Sequence, residues 1–428
     1  MKKIISFLCT VISLELLSLP SMNHPIVIEP MDFTNINEKQ EKSIDHYTCS
    51  EFVLKSLAHG FESRESYEDL QQSRWRIRER LSFLLPSFSF KSALEIPQHN
   101  LMEIASSFVG FIFPSHWYKW KESKLLAKAE KQSYKTLLAN RISNSQNLFF
   151  QIHLFKTKLL IIDHYINQVD KIIDKIITQK KTGIRSVDTE VIGVLFTIKT
   201  RLSYQYEDIR RNVSISMSEL AFTMGKKMSY SLSLEIRSLT SLMSKESQEP
   251  YKTPDRVQIE SPEIKAIIYL IEASKKNKKN IYFDFVSPTA KNPLGFGTSS
   301  SIRIAKSKIK KLEIQLEKIK LDLQRMWFES ATYYNSSIVQ YKNIITNRIS
   351  IDGLTQALME NISNANVDFD LEKVLRFFDY SLSADLRLSE IVHTYWIAEA
   401  NMDRLYLDKF PYTIIENFIP NQNLKDYK

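Results

Sequence analysis

Residues 302–326 read IRIAKSKIKKLEIQLEKIKLDLQRM, and their spacing decides the fold. Ile302, Ile309, Leu316 and Leu323 recur every seven residues, with Ala305, Leu312, Ile319 and Met326 three further on. Four heptads of apolar a and d positions specify a helix that pairs by coiled-coil packing. Lys306, Lys308, Lys310, Lys311, Glu313, Glu317, Lys318 and Lys320 fall on its other faces, which suits water. The same texture runs far beyond this stretch. No Pro occurs from Ser115 to Glu249, a run of 135 residues, or from Leu294 to Phe410, a run of 117. Proline costs roughly 3 kcal/mol inside a helix, so both tracts are expected to hold very long helices. The leg from Trp117 to Lys181 alone would span on the order of 100 Å.

Composition narrows the class. The chain has 428 residues, 43% hydrophobic and 25% charged, which is globular and excludes wholesale disorder. It contains only 8 Gly and 13 Pro, too little punctuation for a many-stranded sandwich or a doubly wound enzyme. The net charge of +9 is modest, and along the sequence it looks dispersed, so charge alone is a weak pointer to nucleic acid.

The chain starts Met1-Lys2-Lys3, followed by an apolar run from Ile4 to Leu14 and small residues to Ser21. This order reads as an export signal over residues 1–21, although Glu15 interrupts it; a buried amphipathic N-terminal helix is the bland alternative. Residues 22–50 read as an N-terminal extension. With the signal removed only Cys49 remains, so no internal disulfide is expected.

Two places break the helical texture, each with period-two alternation. Between Pro86 and Pro97, Phe88, Phe90, Leu94 and Ile96 share one face, and a second strand is expected up to Phe113. Farther on, Ile281, Phe283 and Phe285 alternate with polar neighbours, as do Leu294, Phe296, Ile302 and Ile304. Two hairpins over about 86–113 and 281–304 are therefore expected. Strands of nine to eleven residues match a tilted bilayer crossing, which only a closed barrel permits. A small sheet capping a helical bundle in water fits the alternation equally well.

The two halves resemble each other. Gly110-Phe111 and Gly295-Phe296 lie 185 residues apart, and each half then runs long helix, short polar break, second long helix. The repeats are assigned to residues 51–250 and 251–410, with residues 411–428 as a tail. The first break is Thr182-Gly183-Ile184-Arg185-Ser186-Val187-Asp188. The offset of 185 places Asp368 opposite Gly183, inside Val367–Asp370, and places Lys373 opposite Asp188.

Nothing in the chain argues chemistry. The eight His are scattered without metal-ligand spacing on a helix face. Gly295-Phe296-Gly297-Thr298 lacks the Lys of a phosphate loop, and no G-x-S-x-G occurs. No catalytic, cofactor-binding or metal residue is assigned, and a non-enzyme without cofactor is expected. The basic run Lys275-Lys276-Asn277-Lys278-Lys279 has the chemistry to touch membrane phosphates, though a solvated helix end is the commoner use.

At this point the chain resembles a family, the TolC-like outer-membrane efflux proteins. The carriers are Leu84-Leu85-Pro86-Ser87-Phe88, Thr182 to Asp188, Ser261-Pro262-Glu263-Ile264-Lys265-Ala266, and the repeat, in order from about Glu51 to Phe410. The resemblance implies a homotrimer in which four strands per chain close a twelve-stranded transmembrane β-barrel. Long antiparallel helical hairpins would continue it as an α-barrel tunnel across the periplasm. It implies docking of a periplasmic adaptor and an inner-membrane transporter at a tip formed by Thr182, Gly183, Ile184, Asp188, Val367, Asp368 and Asp370. The membrane-facing strand residues would be Phe88, Phe90, Leu94, Ile96, Phe283, Phe285, Leu294 and Phe296. The expectation is then a passive outer-membrane conduit for efflux or type I secretion. The alternative is a soluble periplasmic coiled-coil scaffold without a pore.

Overall fold

The computed structural model describes residues 45–84, 114–181, 189–226, 232–234, 261–284, 296–363, 371–407 and 412–418. Residues 44–415 form one compact unit; of the second, residues 1–43 with 416–428, only Glu416–Phe418 are described. Seven α-helices make up nearly all of the described chain. They are α1 (Cys49–His59), α2 (Phe61–Ser82), α3 (Pro114–Lys181), α4 (Thr189–Thr223), α5 (Pro262–Asp284), α6 (Phe296–Ser363) and α7 (Leu371–Tyr406). A 3₁₀ segment over Tyr412–Phe418 follows.

Local chemistry explains where the helices start and stop. Thr48 and Glu51 form a capping box at α1, the Thr48 hydroxyl accepting from the Glu51 amide and the Glu51 carboxylate from the Thr48 amide. Pro114 and Pro262 occupy first positions of helices, where the missing N–H costs nothing. Between α1 and α2, Gly60 leaves room for the Arg141 guanidinium, which would lie 2.5 Å from a Cβ built there.

The long helices pack as two antiparallel hairpins, α3 on α4 and α6 on α7, with α7 also against α3. On α6 the expected heptad face is the packed one. Ala305 and Leu323 are buried, and Ile302, Ile309, Leu312, Leu316 and Ile319 are half-buried. Met326 is 39% exposed, because the stripe shifts by one position and continues through Trp327, Tyr334, Ile338 and Tyr341. Trp327 Nε1 donates to Tyr406 across α6 and α7 at 2.7 Å, and the Tyr334 and Tyr395 rings lie 4.9 Å apart.

The repeat is sharper than the sequence suggested. Both α3 and α6 contain 68 residues, and α4 and α7 contain 35 and 36. Corresponding helix starts lie 182 residues apart, at Pro114 and Phe296 and again at Thr189 and Leu371. The expected offset of 185 is therefore corrected. Gly110 stands four residues ahead of its long helix and Gly295 only one ahead, which accounts for the difference.

The expected second hairpin is also corrected. Ile281 to Asp284 complete α5, and Phe296 to Ile304 begin α6. Residues 285–295 between them lie outside the described residues. In the first alternating run, 281–286, packing outweighed the alternation: Tyr118 of α3 stacks on Phe283 at 5.5 Å, and Lys119 pairs with Asp284 at 3.4 Å. The first expected hairpin, residues 86–113, lies outside the described residues. A small parallel pair that the sequence reading missed joins β1 (Asp45–Tyr47) to β2 (Leu232–Leu234), with His46 opposite Ser233. Lys55 and Lys226 both donate to the buried Tyr47 hydroxyl, at 2.9 and 2.8 Å, and tie β1 to its surroundings.

Candidate functional site

A helical wall acts through three parts: its tip, the seam between its hairpins, and its free flanks. The expected tip residues Thr182, Gly183, Ile184 and Asp188 stand between α3 and α4, and Val367, Asp368 and Asp370 between α6 and α7. All seven lie outside the described residues. The helix boundaries nevertheless change how they correspond. An offset of 182 sets Asp370, not Lys373, opposite Asp188, each immediately ahead of its returning helix. Gly183 then corresponds to Ala365 rather than to Asp368.

The seam joins the first hairpin to the second through an apolar core and a ladder of polar clasps. Nearest the tip, Ile162, Val169, Ile172 and Ile176 of α3 and Leu195 and Leu202 of α4 bury against Phe378 and Leu382 of α7. Arg201 of α4 pairs with Asp379 of α7 at 2.7 Å, both about half-exposed. One level farther in, Tyr165 of α3 lies 2.6 Å from Ser381 and 3.1 Å from Asp385 of α7. Arg348 of α6 closes on the same carboxylate at 2.6 Å. Burial pushes the Tyr165 hydroxyl well above its usual range, so it stays protonated and available as a donor.

Farther along, Lys158 pairs with Glu390 at 2.8 Å, beside His153 and His393. Burial holds His393 neutral, pushed down to about 4, with Lys158 and His153 adding to the effect and Glu390 opposing it. Beyond them the nearly buried Arg404 of α7 donates to Asn140 of α3 at 2.6 and 3.0 Å and pairs with Glu263 of α5. Of these seam residues only Glu263 was singled out by sequence, within the Ser261–Ala266 stretch and not for a clasp. A clasp between residues that lie on different helices, most of them more than a hundred residues apart, has no local signal.

Among the described residues, exposed apolar side chains line the flanks of α6 and α4. On α6, Ile314, Leu321, Phe328 and Val339 form one row on the side opposite the packed heptads, and Leu321 is 66% exposed. On α4, Phe196, Tyr204 and Ile215 point away from the buried Leu195 and Leu202, and Tyr204 is 72% exposed. The α6 row had a signal, since three of its members recur every seven residues, with the same period as the core stripe.

Of the expected strand residues, Phe283 is in the last turn of α5 and Phe296 is the first residue of α6. Phe88, Phe90, Leu94, Ile96, Phe285 and Leu294 lie outside the described residues. Among the described residues, no group of three or more His, Cys, Asp or Glu has the arrangement to hold a metal ion. No described helix is long and apolar enough to cross a membrane.

Solved structures share this arrangement. The chain is similar to the CmeC outer membrane channel of Campylobacter jejuni, with a TM-score of 0.69 over 88% of this chain and 90% of that one, at 12% identity. It is similar to the outer membrane protein VceC of Vibrio cholerae, with a TM-score of 0.66 over 84% and 96% at 9% identity. It is likewise similar to the open state of the MtrE outer membrane channel of Neisseria gonorrhoeae, at 0.62 over 84% and 88% with 10% identity. No protein-family model matches the sequence, and no curated protein matches it. The helical part of the chain therefore has the TolC-like fold of outer-membrane efflux channels.

Proposed function

We propose that this chain is one subunit of a homotrimeric outer-membrane channel, a passive conduit for efflux or type I secretion energised by partner pumps. The observation that carries this reading is the pair of unlike apolar flanks, α4 on one side of the wall and the Ile314–Val339 row of α6 on the other. A surface of one kind meeting a surface of another adds copies head to tail, and such contacts close into a ring when the rotation allows. Three copies is the number that the family resemblance implies. A seam of polar clasps between hairpins suits a wall whose tip opens and closes. Partner docking is assigned to the tip, where Asp188 and Asp370 in matched register would set a ring of six carboxylates in a trimer. An adaptor and an inner-membrane transporter are the partners implied. The membrane part is assigned to residues 85–113, which are long enough for the Phe88–Ile96 strand and its return.

Light scattering and negative-stain imaging of detergent-extracted protein test the reading. A trimer with a long hollow body is expected. A monomer or dimer soluble without detergent overturns the channel and favours the coiled-coil scaffold.

A further inference from the structure

The surplus of positive charge is gathered at one end of the bundle rather than dispersed. There α2 ends, α3 begins, α5 ends and α6 begins at a common level. Lys119 of α3 meets Asp284 of α5 at 3.4 Å, Glu122 accepts from Asn277 of α5 at 2.7 Å, and Arg80 and Lys308 face the same Glu122. Residues 74–84, 114–124, 275–284 and 296–308 together carry fourteen Lys and Arg against Glu79, Glu122 and Asp284. Their surplus exceeds the +9 of the whole chain.

Aromatic side chains are interleaved with these cations. Three of the five Trp are here, Trp75, Trp117 and Trp120, and Trp75 is 61% exposed. The Arg78 guanidinium lies 4.6 Å from the Trp75 ring centre, and the Lys124 ammonium lies 3.7 Å from that of Trp120. A soluble polyanion calls for charge alone. Large amphipathic rings beside long-stemmed cations suit a surface that is apolar on one side and anionic on the other.

We propose that this end is a collar that binds the phosphate headgroups of an anionic bilayer leaflet. It rests on the channel reading, because these four helix ends lead into residues 85–113 and 285–295. The cationic heads contact headgroup phosphates while the Trp and Tyr rings lie at the headgroup level. The collar sets the depth of the chain and makes its membrane association dependent on lipid charge and on salt.

The test is flotation of the full-length detergent-purified chain with phosphatidylcholine vesicles, with or without about one-third phosphatidylglycerol, at low and high salt. The wild type is expected to favour the anionic vesicles, with the preference shrinking in salt. Combining Arg76→Gln, Arg78→Gln, Arg80→Gln and Lys121→Gln should cost about fivefold per cation and so remove the preference. Lysine at the three Arg positions should retain it. A control that removes equal charge elsewhere, Lys171→Gln with Arg210→Gln, Arg211→Gln and Lys342→Gln, should also retain it. The collar is overturned if wild type shows no anionic preference, if the control loses as much as the collar variant, or if polyphosphate in solution displaces the vesicles fully. Failure of the channel reading is distinguishable: a chain that never trimerises still reports the preference.

Discussion

Gly60 shows how little freedom a single position has at a three-way junction. A Cβ there would meet the Ser56 carbonyl and lie 2.5 Å from Arg141 Nη2. That guanidinium donates to Glu62 at 2.6 Å and to the Thr223 carbonyl at 3.0 Å, so it fastens α2 and the end of α4 to α3. Gly60→Ala should displace Arg141 and cost about 1–3 kcal/mol, read as a lowered Tm with helix content unchanged in the folded state. His393 predicts a pH dependence. Its folded value is pushed down to about 4, while in the unfolded chain it returns to about 6.5. Above that range both states are neutral and His393 contributes no slope. As pH falls the unfolded chain takes up the proton first, so stability declines, by about 2 kcal/mol between pH 7 and 5. Denaturant titrations at the two pH values should show this loss in wild type and a smaller one in His393→Gln.

At the scale of elements, the long helices were legible because their cause is local. Proline-free tracts and seven-residue spacing say helix without reference to anything distant. The strand expectation at 281–304 failed because a short alternating run carries no record of what packs on it. Ile281 and Phe283 sit in a helix whose other turns already face α3, and Tyr118 and Lys119 hold its end. The three-residue error in the repeat offset arose from anchoring on Gly110 and Gly295, which sit at different distances from their helices. A pair of substitutions separates the helical and strand readings. Phe90→Asp, in the expected membrane strand, should block membrane assembly. Phe296→Asp, at the first position of α6, puts an acid where the helix dipole favours it by about 0.3–1 kcal/mol and should be tolerated. Membrane fractionation of both variants is the measurement. Loss of assembly in Phe296→Asp would return that residue to a lipid-facing strand.

For the whole molecule, the distinction that matters is between side chains that hold one chain together and those that hold chains to each other. Sequence blurs them, since the α6 core stripe and its outer row are both apolar with heptad spacing. It also showed only one part of the collar, the Lys275–Lys279 run, because the basic stretches of the two halves look dispersed until antiparallel packing brings their helix ends to one level. The outer row offers a clean separation. Leu321 is 66% exposed and Ile314 58%, so most of each side chain has no contact to lose within its own chain. Leu321→Glu with Ile314→Glu should therefore shift monomer stability by no more than about 0.5 kcal/mol per site, as for ordinary surface changes. If these residues meet the α4 flank of the next copy, the same variant places charges in a desolvated interface and should dissociate the ring. Light scattering in detergent should then report monomer, where a trimer is expected of the wild type, with circular dichroism unchanged. A variant that remains trimeric removes the α6 row from the interface and with it the head-to-tail arrangement proposed for the wall.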